Sequence, residues 1–472
     1  MVFSSAIFLF AFLPLTFIGS LLIRQRWAQN AFLTLASLIF YAFGEPVYVF
    51  LMIASAGVNY GFGRGIVAVR GKRMKRLLLV LAVICDLAVL GVFKYAGFAV
   101  TNVNALFGIA LPVPAIRLPV GISFFTFQAM SYVIDVYRNR DMCQKDFMKV
   151  LLYISFFPQL IAGPIVRWNE IEEQIDHRCL NETEIADGIC RFVKGLFKKL
   201  IFANGLGKVA DHVFALNIGQ YGMAVAWLGA VCYALQIFYD FSGYSDMAIG
   251  MASMFGFHFQ ENFKHPYSAD SIHEFWRRWH ISLSSWLRDY LYISLGGNRR
   301  GKVRTYFNLF ITMVLGGLWH GASWLFVIWG AWHGVLLIVH KVYRRIFPVA
   351  KDDRPGIIRH FFHVLLTFHV VAAGWIFFRS PSLDVAGQIF TQIFTNFRPE
   401  AIPSFVSGYA VIFVALIVGY LLHFAPHRWS QWLQRELSWS PLVVKAAILA
   451  LVLFFVLQVR SSELVPFIYS QF

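Results

Sequence analysis

The chain has 472 residues, 58% of them hydrophobic and 14% charged, with a mean hydropathy of +0.62 and a formal net charge of +16. A soluble globular domain carries about 25% charged residues, so this deficit excludes one and points to a polytopic membrane protein. The excess Lys and Arg sit in short loops between apolar runs, a positive-inside pattern and not a nucleic-acid surface; five scattered cysteines with no CxxC exclude a disulfide framework and a zinc site.

Apolar runs follow one another at 4–23, 31–43, 46–62, 77–98, 119–136, 147–165, 223–239, 243–259, 305–319, 322–340, 358–378, 406–424 and 442–459. A spanning helix needs about 20 residues. The predicted fold is therefore all-α and polytopic, with about 11–13 membrane helices plus shorter re-entrant and interfacial ones. We expect one membrane domain over 1–472: N-terminal helices to 165, a central region over 166–345 and C-terminal helices from 346. The first run has no positive segment before it, so it reads as a retained helix and not a cleaved leader.

Loop charges predict a topology. Arg24 and Arg26, then Arg64 to Arg76, then Arg138, Arg140 and Lys145 mark cytoplasmic loops, which puts the N-terminus outside. Arg299, Arg300, Lys302 and Arg304 mark another, and Lys341, Arg344, Arg345, Lys351 and Arg354 a further one. Asp86 and Lys94 share one run but lie about 12 Å apart along its axis, too far to pair. Asp135 and Arg138 read as an ion pair. Asp240 and Asp246, beside Ser242 and Gly243, read as caps at a helix junction.

Residues 273–292 carry too many charges to span a membrane. At 100° per residue, Trp276, Trp279, Leu283, Trp286, Leu287, Tyr290 and Leu291 fall on one face, and Arg277, Arg278, Ser284, Arg288 and Asp289 on the other. The pattern predicts one amphipathic interfacial helix with His280 on its apolar side. Further on, Gly316-Gly317-Leu318-Trp319-His320-Gly321-Ala322 places an imidazole between charge-free flanks. A polar side chain at membrane depth is a functional-site candidate by default. His320 falls at the turn between two basic loops, towards the outer side. His333, 13 residues on, is offset by about 140° and faces elsewhere. His360, His363 and His369 lack metal-ligand spacing.

The chain holds no G-x-S-x-G elbow, P-loop or H-E-x-x-H. A histidine base acting on a hydroxyl beside an activated acyl donor needs neither metal nor protein nucleophile. These residues alone leave a polysaccharide or lipid transporter equally open.

The run Phe275-Trp276-Arg277-Arg278-Trp279-His280-Ile281-Ser282-Leu283-Ser284-Ser285-Trp286-Leu287-Arg288-Asp289-Tyr290-Leu291-Tyr292, followed by Gly296-Gly297-Asn298-Arg299, resembles the signature of membrane-bound O-acyltransferases, above all their alginate O-acetyltransferase branch. Pro119 to Gln128, Phe157 to Ile165, Tyr239 to Asp246, Gly316 to Trp324 and, more weakly, Phe377 to Ser380 are similar too. The resemblance implies a central tunnel, His320 as essential histidine and His280 as the second polar position. It also implies Trp276, Arg277, Arg278, Trp279, Asp289 and Trp319 as substrate-binding residues. The implied donor is cytoplasmic acetyl-CoA, with no bound cofactor or metal. Arg277, Arg278 and Lys302 would attract its phosphates. The implied acceptor is an extracytoplasmic polysaccharide, reached directly or through a periplasmic acetyltransferase partner, in a bacterial inner membrane. Teichoic acid or peptidoglycan is the alternative acceptor. Both the resemblance and the loop charges put the two histidines on opposite sides of the membrane.

Overall fold

The computed structural model describes residues 1–215, 222–348, 356–459 and 467. Helices and turns make up these residues, and none of them is in a strand. The all-α polytopic architecture is borne out. Among the described residues, four helices are long and apolar enough to cross a membrane: Lys72–Phe107, Met223–Met254, Trp324–Ile346 and Ile357–Arg379. A fifth span forms if Ile402–Gly408 and Ala410–Phe424, bent by 90°, count as one. This is fewer than the apolar runs promise, because several runs fold as short or broken helices. The run at 147–165, for example, gives Phe147–Ser155 and then the single turn Phe157–Leu160, with Pro158 in that turn.

The chain divides into two compact units: Met1–Lys194 with Tyr244–Gln260, and Gly195–Gly243 with Glu261–Ser461. In the first unit, Asp86 accepts from the Asn59 side-chain amide at 2.8 Å, and Lys94 donates to Ser123 at 3.2 Å. The two charges thus take separate partners, as their axial spacing requires. Asp135 accepts from the Asn169 backbone N–H at 3.3 Å. Gly121 (φ +78°) sits where a Cβ would lie 2.7 Å from the Leu160 carbonyl, so two of the motif segments meet backbone to backbone.

Two expectations are corrected. The runs at 223–239 and 243–259 belong to one helix, Met223–Met254, so Asp240 and Asp246 lie in its interior and cap nothing. Each is held by a cation instead: Asp240 pairs with Lys199, and Asp246 with Arg191 at 3.0 Å. Buried carboxylates need such partners. Gly243 does not break the helix; a Cβ there would stand 2.8 Å from the Gly195 carbonyl.

The 273–292 segment is not one helix either. It is Ile272–Arg278, a turn at Trp279 and His280, Ile281–Trp286, and a π-helical turn over Leu287–Tyr292. His280 adopts φ +43° and ψ +54°. This left-handed conformation is costly for a residue with a Cβ and stops the helix. The new helix start is satisfied from outside: the Asn262 carbonyl accepts from the Ile281 N–H at 2.9 Å, and Asn262 Oδ1 accepts from the Ser282 N–H at 3.3 Å.

Candidate active site

The site lies within the second unit, and a helical hairpin supplies its first histidine. Lys302–His320 ends at His320, the chain turns through Gly321, and Ser323 caps Trp324–Ile346 by accepting from the Leu325 N–H at 3.3 Å. The two helices pack closely because both are glycine where they cross. A Cβ on Gly317 would fall 2.2 Å from the Phe326 carbonyl, and one on Gly330 2.4 Å from the Met313 carbonyl.

His320 is buried among aromatic rings. Its centroid is 5.1 Å from Trp319, 5.1 Å from Trp329 at 90°, and 5.4 Å from Phe378. Phe378 comes from the weak late motif, which thereby acquires a place in the site. Trp329 also stacks on Trp375 at 5.6 Å.

The second histidine arrives from the turn. The His280 ring is fully buried and lies 6.3 Å from His320, with Trp319 touching both. This corrects the expectation that the two histidines face opposite sides: one enclosure holds both. Local structure explains the convergence, since the left-handed turn at 280 redirects a side chain that a continuous helix would carry past.

A defined set of partners orients His280. Its Nδ1 stands 3.1 Å from Asn262 Oδ1, which also accepts from Ser282 Oγ at 2.9 Å. An amide oxygen only accepts, so Nδ1 carries the proton and Nε2 is the basic nitrogen. Burial pushes the imidazole pKa down to about 3, so the ring is neutral across the physiological range. Phe241, from the Tyr239–Asp246 motif, closes one side at 4.6 Å.

The other expected site residues lie in different surroundings. Trp319 lines both imidazoles. Trp279 is fully buried against Phe263, Phe275 and Trp375, a packing position. Trp276 contacts Trp329 and His333 at 5.8 and 5.1 Å. Asp289 pairs with neighbouring Arg288 on the π-helical turn. Arg277 and Arg278 both reach Glu274, and Arg278 also donates to Ser268 at 2.8 Å. These two arginines line a cavity of about 510 Å³, together with Lys264, His265 and His423. Lys302 instead opens the helix that ends at His320.

Sequence reasoning missed Asn262, Trp329 and Trp375, and gave Phe241 a place in a motif but no role. Asn262 lies 18 residues before His280, and nothing in its neighbourhood marks it. His333 is also corrected: it does not face away but packs against Trp329 at 4.9 Å, one ring removed from His320. Among the described residues no group of His, Cys, Asp and Glu is arranged to hold a metal ion.

This arrangement can do proton-transfer chemistry on a hydroxyl in a water-poor enclosure. Comparison with known proteins gives the same class. The model of the membrane-bound O-acyltransferase family matches residues 120–379. The probable alginate O-acetylase AlgI of Pseudomonas syringae pv. tomato is 47% identical over 404 residues, covering 84% of this chain and 75% of that one. The probable alginate O-acetylase AlgI of Pseudomonas putida is 40% identical over 498 aligned residues, covering 100% of both chains. The peptidoglycan O-acetyltransferase of Helicobacter pylori is 37% identical over 421 residues, covering 82% of this chain and 79% of that one.

Proposed function

The chain belongs to the membrane-bound O-acyltransferase family, and on that premise we propose that it moves an acetyl group from cytoplasmic acetyl-CoA to hydroxyls of an extracytoplasmic polysaccharide. The enzyme class, membrane-bound O-acyl transfer, follows from the membership. Alginate or a related exopolysaccharide is the acceptor favoured by relatives named for alginate O-acetylation. The acetyl group reaches it directly or through a periplasmic acetyltransferase partner, from a bacterial inner membrane. Peptidoglycan is the second reading, favoured by the Helicobacter pylori relative.

One observation carries the reading: His320 and His280 meet at 6.3 Å inside one aromatic enclosure. In the proposed step the acceptor oxygen attacks the thioester carbonyl, the new C–O bond forms and the C–S bond breaks. His320 takes the hydroxyl proton and returns it to the departing thiolate. The imidazolium formed at His320 lies at the carbonyl end of a 19-residue helix, where positive charge is stabilised. His280, neutral and held through Nδ1, offers Nε2 as an acceptor that orients the hydroxyl. The surrounding indoles exclude water, which would otherwise hydrolyse the thioester.

The test is transfer of labelled acetyl from acetyl-CoA to polymer by membranes carrying His320→Ala. Loss of a general base lowers the rate about 10²–10⁴-fold, with protein still inserted at wild-type level. Near-normal acetylation in that variant would sink the assignment and favour a transporter.

A further inference from the structure

Beside His320 lies a polar cluster that the transfer step leaves unused. His333, fully buried on the Trp324–Ile346 helix, packs its ring 4.9 Å from Trp329 and 5.1 Å from Trp276, and the two indoles lie 5.8 Å apart. Trp329 is also the ring set at 90° against His320. Four buried nitrogens of this cluster have no hydrogen-bond partner in the protein: Trp276 Nε1, Trp329 Nε1, and both Nδ1 and Nε2 of His333. The adjacent indole of Trp332 shows the ordinary arrangement, donating to the Val370 carbonyl at 3.1 Å. Buried donors and acceptors are nearly always paired, and leaving one unpaired is costly. Ring-to-ring contact does not meet the need, because an N–H over an aromatic face is a weak, second-order interaction. Apolar packing alone would be served by phenylalanine at these positions.

The unpaired groups define what would fit. An indole N–H only donates; a neutral imidazole donates once and accepts once. The cluster therefore offers three donors and one acceptor. The rings that touch His333, those of Trp276, Trp329 and Phe275, are all uncharged. A phosphate or carboxylate would bring its charge among uncharged rings, which is costly. A thioester carbonyl accepts but cannot donate. An amide or a hydroxyl does both. The cluster is also held rigidly. A Cβ on Gly374, in the Ile357–Arg379 helix, would stand 3.1 Å from His333 Nε2, so bare backbone closes on that edge of the imidazole while the indoles hold other sides. Groups fixed in this way are ordered before a ligand arrives, which lowers the entropy cost of binding.

We propose that His333 is a third functional histidine, a substrate-binding residue: with Trp276 and Trp329 it hydrogen-bonds an uncharged amide or hydroxyl group of a substrate that reacts at His320. On the proposed function, on which this assignment rests, two sources offer such a group: the amide-bearing arm behind the thioester of the donor, and the hydroxyls of the acceptor. The helix favours the first. His333 lies nine residues after Trp324, about 13 Å along the axis from the hairpin turn, towards the end that carries Arg344 and Arg345. Loop charges put that end on the cytoplasmic side, from which the donor enters.

The test measures labelled acetyl transfer to polymer by membranes carrying the full chain, with three donors: acetyl-CoA; S-acetylpantetheine, which keeps the amides without the nucleotide; and S-ethyl thioacetate, which has no amide. His333→Phe keeps a ring and removes both nitrogens; His333→Gln restores a donor and an acceptor. The expected result is a KM at least tenfold higher in His333→Phe for acetyl-CoA and S-acetylpantetheine, a rate with S-ethyl thioacetate within twofold of wild type, and recovery of most of the loss in His333→Gln. A rise in the polymer KM with all three donors instead keeps the site and assigns it to the acceptor hydroxyl. A fall in kcat shared by all donors, with every KM unchanged, makes His333 structural and overturns the proposal, as does wild-type behaviour of His333→Phe. If His333→Phe does not insert, Trp276→Phe, which removes one N–H from the cluster, is read in the same way with a several-fold shift. If wild type transfers no acetyl from acetyl-CoA, the proposed function fails separately. Calorimetry on the full chain in nanodiscs then decides the site: at least tenfold tighter binding of pantetheine by wild type than by His333→Phe upholds it, and equal binding overturns it.

Discussion

His280 shows how much one backbone conformation decides. A helical residue at 280 would continue Ile272–Arg278; the left-handed turn instead delivers the imidazole to His320, and Asn262 holds it there. Asn262→Leu keeps the volume roughly constant but strands the donors at His280 Nδ1 and Ser282. It is expected to lower turnover about tenfold, as removal of a buried hydrogen-bond partner does. His280→Ala is expected to impair turnover more than Ser284→Ala, whose hydroxyl reaches only the Trp279 carbonyl at 3.3 Å. Steady-state acetylation measures both, and equal effects would remove the special role of His280. Burial lowers the His280 pKa, so its neutral form persists down to about pH 3. The pH–rate profile between pH 5 and 8 is therefore expected to keep its apparent pKa in a His280→Asn variant. A displaced limb would make residue 280 the titrating base.

Helix pairs place His320, and small residues set their spacing. The hairpin of Lys302–His320 and Trp324–Ile346 closes on Gly317 and Gly330, three residues before His320 and one after Trp329. Gly317→Ala is expected to cost about 1–3 kcal/mol, the usual penalty of overpacking, and to lower acetylation, because it displaces both His320 and Trp329. Gly387→Ala, with nothing within 4 Å of the added Cβ, is expected to hold or slightly raise the melting temperature, since alanine is the better helix former. Melting of the two variants in detergent checks the contrast. The same scale explains Met223–Met254. Its interior carboxylates look like helix breaks in the sequence, yet Lys199 and Arg191 neutralise them within the helical run.

Across the whole molecule, many large apolar side chains face outwards, among them Leu22, Ile357, Val411 and Leu421. In water such a surface would aggregate; in a bilayer it is the expected lipid contact. Loop charges then predict orientation: single cysteines introduced at 72–76 and at 299–302 are expected to resist an impermeant thiol reagent added from outside until the membrane is opened. Labelling of either loop in intact cells would reverse the topology. Lys351 and Arg354, which contribute to a further basic loop in the sequence, lie outside the described residues.

Composition and periodicity determine what averages over many residues: the membrane environment, the all-helical fold and the apolar setting of His320. The Trp-, Arg- and His-rich segment is legible as special because its charges cannot cross a bilayer. The sequence does not reveal that the segment breaks at 280, that Asn262 caps the break, or that Trp329, Trp375 and Phe378 wall the site. It also does not reveal that His423, more than 140 residues from His280, lines a cavity with Arg277 and Arg278. Those features depend on contacts between residues far apart in the chain and on a single left-handed φ angle. Local propensity averages over such details, and only tertiary packing sets them.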